Sequence, residues 1–213
     1  MNFHLPTKFI IGLTIILINV SCGKDDEVVS TNSSCGTTKY CIIFVSNTGT
    51  SGDIDGTGDN DGSNGIEEAD TICNADSNKP NSSSYKAMIV DGANRVACTT
   101  VDCSGGTGEH VDWVLQASKE YRRADESTAI GTTSTEGIFT FPLDNTIDIA
   151  GAVTVIWTGL NGTDWTTHAE LCNSWTDNVM GKGRIHSATV DNSMGNASFI
   201  CSNTSFKLYC VEQ

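Results

Sequence analysis

Cysteine spacing constrains this chain more than any other feature. Nine cysteines occur in 213 residues, at positions 22, 35, 41, 73, 98, 103, 172, 201 and 210. Cys22 directly follows an apolar stretch at the N-terminus and stands apart from the rest. Setting it aside leaves an even set, which in an exported chain reads as a disulfide framework. A zinc site would need C-x2-C or C-x-x-H spacing, and neither occurs. Cys35/Cys41 and Cys98/Cys103 are near enough in sequence to close small loops, and both segments carry turn residues. The full pattern stays open, because eight cysteines admit about a hundred pairings.

Export itself is written at the start of the chain. Lys8 gives a short positive region, and Phe9 to Val20 is an apolar run. Such a run is too short for a bilayer span of roughly 20 residues, and has the length of a signal-peptide core. Ser21-Cys22-Gly23 follows and resembles a bacterial lipobox, with Asn19 where Leu is usual. The expectation is therefore a lipoprotein signal over residues 1–21 and an acylated Cys22 at the mature N-terminus. Several acyl chains on one cysteine anchor a protein stably, where a single chain would not. Residues 22–38 are polar and lack any apolar period, so they read as a tether, and residues 39–213 remain for the folded domain.

The chain carries a formal net charge of −14, which becomes −15 once Lys8 is removed with the signal. That balance argues against nucleic acid and anionic membrane surfaces, whose affinity comes largely from Lys and Arg on phosphate. Gly, Ser, Thr and Asn together number 85, a loop-rich and β-leaning composition. Strands are predicted over 40–46, 86–90, 137–143, 152–159 and 206–211. A helix is predicted to start at Gly65 behind a capping Asn64, with Glu67 and Glu68 in its first turn. Residues 111–124 are ambiguous between helix and irregular structure. The sum is an α+β domain with long loops, where function would sit.

Several strings now fall into one order. Gly65-Ile66-Glu67-Glu68-Ala69-Asp70-Thr71-Ile72-Cys73, Phe141-Pro142-Leu143, Val155-Ile156-Trp157-Thr158-Gly159, Glu170-Leu171-Cys172-Asn173-Ser174-Trp175 and Cys201…Leu208-Tyr209-Cys210-Val211-Glu212 resemble, in sequence, the landmarks of endostatin. With the loose lipobox, the chain resembles the endostatin-like surface lipoproteins of leptospires. That resemblance implies a C-type-lectin-like fold, with Cys73–Cys210 joining the first helix to the last strand and Cys172–Cys201 nested inside. Cys35–Cys41 and Cys98–Cys103 then remain as local loops. It also implies a binding and adhesion module on the bacterial outer membrane or cell surface, with host extracellular-matrix proteins (laminin, fibronectin) or the complement regulator factor H as partners.

Other family chemistry does not carry over. Calcium-dependent sugar binding needs Glu-Pro-Asn or Gln-Pro-Asp, then Trp-Asn-Asp before the penultimate cysteine; here that stretch reads Gly195-Asn196-Ala197-Ser198-Phe199-Ile200. Heparin binding does not carry over either, since it needs a dense arginine surface and the only arginines are Arg95, Arg122, Arg123 and Arg184. No histidine occurs between 22 and 60 to build endostatin's zinc site.

Eight acids and no Lys or Arg lie within residues 53–76. Oxygen ligands on a glycine-rich backbone suit Ca²⁺. Counting from Thr57, TGDNDGSNGIEE places Asp59 at position 3 of an EF-hand loop, Asp61 at 5 and Glu68 at 12, while Thr57 and Asn64 depart from the pattern. Asp59, Asp61 and Glu68 are thus the candidate calcium ligands, set against a plain solvated acidic loop. A calcium-dependent structural or glycan-binding envelope lipoprotein is the alternative function. No G-x-S-x-G elbow, P-loop or dinucleotide fingerprint occurs, so the chain is expected not to be an enzyme. Of four tryptophans, Trp157 and Trp175 are expected in the core. Trp165, in a polar loop, is the candidate exposed ligand contact.

Overall fold

The computed structural model describes Met1 and residues 35–57, 64–148 and 154–213. Cys22, Asp59 and Asp61 lie outside the described residues, as does most of the expected tether.

The chain enters the fold at Cys35, whose N–H donates to the carbonyl of Gln213 at 3.1 Å, so the first and last described segments run together. Among the described residues eight strands follow: β1 (Tyr40–Val45), β2 (Tyr85–Ala87), β3 (Glu120–Arg123), β4 (Ala129–Thr132), β5 (Val155–Trp157), β6 (Lys182–Ser187), β7 (Ala197–Ile200) and β8 (Tyr209–Glu212). Five form one sheet in the order β2-β8-β1-β3-β4, and three form a second in the order β5-β6-β7. Of these eight strands, β1 and β3 pair in parallel and the other adjacent strands pair antiparallel. The helix α1 (Gly65–Ala75) lies between β1 and β2 in sequence, the one of regular length among the described residues. The domain is therefore α+β, mostly strands with long connections.

Alternation along β1 and β8 builds two cores, because successive side chains leave a strand on opposite faces. Cys41, Ile43, Tyr209 and Val211 face one side, where Tyr121, Phe139 and Trp165 join them. Ile42, Phe44, Leu208 and Cys210 face the other, against Ile66, Ala69 and Cys73 of α1 and the indoles of Trp157 and Trp175. Burying both faces explains why β1 reads Cys-Ile-Ile-Phe-Val without polar alternation.

Asn64 caps α1 as its sequence suggests. Its Oδ1 accepts from the N–H groups of Ile66 and Glu67 at 3.1 and 3.2 Å, satisfying two donors that the first turn leaves free. Four disulfides form: Cys35–Cys41, Cys73–Cys210, Cys98–Cys103 and Cys172–Cys201. They are the pairs that the endostatin resemblance implies.

Other expectations are corrected. The strand expected over 86–90 ends at Ala87, because Val90 turns its N–H to Thr158 at 3.0 Å and so leaves the ladder. Residues 137–143 form no strand: Pro142 has no N–H to give a ladder, and Ile138, Phe139 and Leu143 fill the core instead. Residues 111–119 are irregular, with Asp112 and Ser118 at positive φ, and order resumes as β3 rather than as a helix. β4, β6 and β7 were not expected. Their runs (Ala-Ile-Gly-Thr, Lys-Gly-Arg-Ile-His-Ser, Ala-Ser-Phe-Ile) are only four to six residues long, too short to show a clear alternation, and pairing with neighbours stabilises them.

Candidate functional site

The acidic segment around α1 divides into structural acceptors and residues outside the description. Asp76 accepts from the N–H groups of Asn47, Thr48 and Asn78; burial opposes its charge, yet these donors hold its pKa below the usual carboxylate range. Asp70 accepts from Ala87 N–H at 2.7 Å and forms a two-pronged ion pair with Arg95, both contacts at 2.8 Å. Arg95 is wholly buried and also reaches Asp112, which in turn pairs with Lys86. Burial works against the Asp112 carboxylate, but hydrogen bonds from Lys86 and Arg95 hold its pKa down. Glu68 sits half-buried in the first turn of α1, while its proposed companions Asp59 and Asp61 lie outside the described residues. A single 3-10 turn, Asp55–Thr57, stands where an EF-hand has its entering helix. Among the described residues no three His, Cys, Asp or Glu side chains converge as a metal site.

Trp165 corrects its expected exposure. Its side chain is 1% exposed, its indole N–H donates to the carbonyl of Phe139 at 3.0 Å, and its ring stacks on Phe141. The polar residues around it fold the loop over the ring: Asp164 Oδ1 accepts from both the N–H and the hydroxyl of Thr166. Trp157 and Trp175 are buried as expected.

A surface cleft of about 490 Å³ opens beside β1 and β3, its lining including Arg123, Lys207, Asp125 and Asp148. Its charges balance, and Asp125 is committed to capping the turn at Ser127 and Thr128. The cleft therefore shows no preference for a charged ligand.

The distinctive surface is instead at the end of the three-stranded sheet. Cys172, Asn173, Ser174 and Trp175 all have φ between 48° and 67°, a left-handed turn that costs roughly 1–2 kcal/mol per non-glycine residue. Tertiary contacts hold it in place. The Cys172–Cys201 disulfide ties one end, and Trp175 Nε1 donates to Val90 O at 2.9 Å at the other. Gly65 and Gly183 make room: a Cβ on either would approach Trp175 or Cys172 to within 2.9 Å. From this clamp the chain runs outward through residues 176–181 into β6. Asp177 Oδ1 accepts from Val179 N–H at 2.7 Å and Met180 N–H at 3.2 Å, fixing that turn. Val179 and Met180 are consequently presented at 82% and 73% exposure. Across the ladder, Ile200 pairs with Lys182, and Phe199 and Ile200 are 42% and 53% exposed. Val179 and Met180 thus stand exposed where β6 begins, and Phe199 and Ile200 where β7 ends, on opposite faces of the strand, with Phe199 packed edge-on against Phe206 at 5.1 Å. Scattered apolar residues on a surface are ordinary, whereas clustered ones mark interaction sites. The sequence signal was slight, an apolar pair between Asn178 and Gly181.

His186 of β6 joins the two sheets. Its ring is fully buried, with Nδ1 2.9 Å from the hydroxyl of Tyr209 on β8 and no partner at Nε2. Burial pushes its pKa down to about 4, so it is neutral at physiological pH.

No helix among the described residues is long and apolar enough to cross a membrane. Comparison with curated proteins finds no match. A family model described as "Protein of unknown function (DUF1554)" matches residues 56–191, from the acidic segment through α1, the clamp and β6. On that match, the chain belongs to the DUF1554 family.

Proposed function

We propose that this chain is a lipid-anchored surface lipoprotein, held to the bacterial outer membrane through Cys22, whose lectin-like, endostatin-like domain binds partner proteins and catalyses nothing. The pairing of Cys73 with Cys210 and of Cys172 with Cys201 supports the lectin-like reading, because it matches the order in which the endostatin strings occur. β1 and β8 lying side by side supports it too, since they bring the two ends of the domain together. The observation that carries the binding role is the exposure of Val179, Met180, Phe199 and Ile200 around the start of β6 and the end of β7, next to the Cys172–Cys201 disulfide. A protein interface needs such a desolvated centre with a polar rim. The partner class follows from the resemblance: matrix proteins such as laminin and fibronectin, or factor H, and not heparin.

The test is concentration-dependent binding of the mature chain to immobilised laminin, fibronectin and factor H. Wild-type protein is expected to bind at least one of them, and Met180→Lys with Ile200→Lys to lose that binding while melting normally. No binding to any of the three at micromolar concentration would overturn the proposal, as would a double variant that binds undiminished.

A further inference from the structure

Among the described residues no strand pairs with the outer edge of β7, and its backbone shows which groups it offers. Arg184 directs its N–H to Glu170 O at 2.9 Å and accepts at its carbonyl from Thr158 N at 3.0 Å, so it faces away from β7. Gly183 and Ile185 are therefore the β6 residues that face β7, opposite Phe199 and Ala197. By the alternation of an antiparallel ladder, Ser198 and Ile200 point their backbone groups to the open side. Ile200 O accepts from Asn203 N at 3.3 Å. The N–H and C=O of Ser198 and the N–H of Ile200 are left facing outward.

Exposed edges are normally blunted by a charge, a proline or a bulge, because an open ladder recruits other strands. β7, Ala-Ser-Phe-Ile, is short at four residues but carries no charge, proline or bulge and keeps an unbroken register with β6. Its surroundings are acidic. Gly52 N–H donates to Cys201 O at 2.8 Å and Asp53 bridges to Thr176, which brings Asp53 and Asp55 beside the end of β7. Asp177 lies in the adjoining turn; Lys182 is the cation across the ladder from Ile200.

We infer that β7 is a docking edge for an extended, basic segment of a partner protein, which adds to the three-stranded sheet as a fourth strand. Main-chain hydrogen bonds to Ser198 and Ile200 supply affinity. Alternate apolar side chains of the incoming strand pack beside Phe199 on one face and Ile200 on the other, and its cations meet Asp53, Asp55 and Asp177. Strand addition of this kind divides recognition between backbone and alternate side chains. The acidic flank and the domain's net negative charge select a basic partner over a second copy of this chain. The inference rests on the binding role proposed above and adds its mode and the chemistry of its partner.

The probe is a synthetic peptide of alternating valine and threonine with lysines at both ends, followed by fluorescence anisotropy on the mature chain. Binding is expected to weaken at least tenfold when alternate peptide amides are N-methylated, a change that leaves the protein untouched. Replacing the lysines by glutamates is expected to have an effect of similar size, and Asp53→Asn with Asp55→Asn to weaken the lysine peptide several-fold. Hydrogen exchange at Ser198 and Ile200 is expected to slow on binding. If matrix binding is lost in the Met180→Lys, Ile200→Lys variant while N-methylation changes nothing and those amides stay unprotected, this inference fails and the broader binding role stands. If the mature chain is a dimer with those amides already protected, the edge belongs to a second copy and the inference is overturned.

Discussion

Lowering the pH should loosen this fold through one side chain, His186. Its imidazole is fully buried between the two sheets, with Tyr209 as its one partner. Burial disfavours the charged imidazolium there, which is why its pKa falls to about 4. In the unfolded chain a histidine titrates near 6.5. The sign follows from linkage. Between those two values the unfolded state binds a proton that the native state refuses, so stability present above pH 6.5 is lost as pH falls toward 4. At pH 5 the expected loss from this residue is about 2 kcal/mol, and it approaches about 3 kcal/mol at pH 4. Burial lowers His110 and His168 as well, so their contributions have the same sign. The depressed carboxylates Asp76, Asp91 and Asp112 release their stabilisation only below the ordinary carboxylate range, outside the window chosen here. Urea unfolding at pH 7.5 and pH 5, with disulfides intact, measures the loss for wild type and for His186→Phe. The variant is expected to be less pH-dependent by about 2 kcal/mol, whatever its absolute stability. Equal pH dependence in the two proteins would refute the reasoning, as would an NMR titration placing His186 near its ordinary value.

Three further outcomes follow from the packing. Arg95→Met removes the buried partner of Asp70 and should cost about 3–5 kcal/mol in denaturant unfolding, whereas Lys86→Ala, at the exposed end of the same network, should cost under about 1 kcal/mol. Trp165→Ala should cost about 3–5 kcal/mol of stability while leaving partner binding by the folded protein intact, and a binding defect without a stability defect would return Trp165 to the surface role that its burial argues against. Replacing Cys73 and Cys210 by Ala opens a loop with a separation of 137 residues. The chain-entropy model assigns that about 5 kcal/mol, against about 2 kcal/mol for the Cys98–Cys103 pair, a ratio that thermal melts of the two double variants would check.

Local chemistry was legible wherever one short segment decides its own state. Asn64 ahead of Gly-Ile-Glu-Glu predicts a capped helix, because a side-chain oxygen can satisfy the first N–H groups without help from elsewhere. The apolar run at 41–45 predicts a strand, since no other element of that length buries every residue. Pro142 shows the limit of that logic: the run around it is apolar enough for a strand, but a missing N–H keeps it out of any ladder. β6 and β7 were illegible for the opposite reason. Their own composition is indifferent, and they are strands because β5 and each other supply the hydrogen bonds.

The same division holds for function. The sequence by itself determined the even cysteine set, the apolar N-terminal run ending at Cys22, the acidic balance and the order of motifs that resembles endostatin, all properties of covalent order and charge that survive any folding. Only the tertiary structure decided that Trp165 lies inside while Val179 and Met180 lie outside. Polarity of neighbours could not tell these apart, because exposure depends on which distant elements close over a loop. Phe139 and Phe141 cover Trp165, whereas the Cys172–Cys201 clamp turns residues 176–181 away from every such cover.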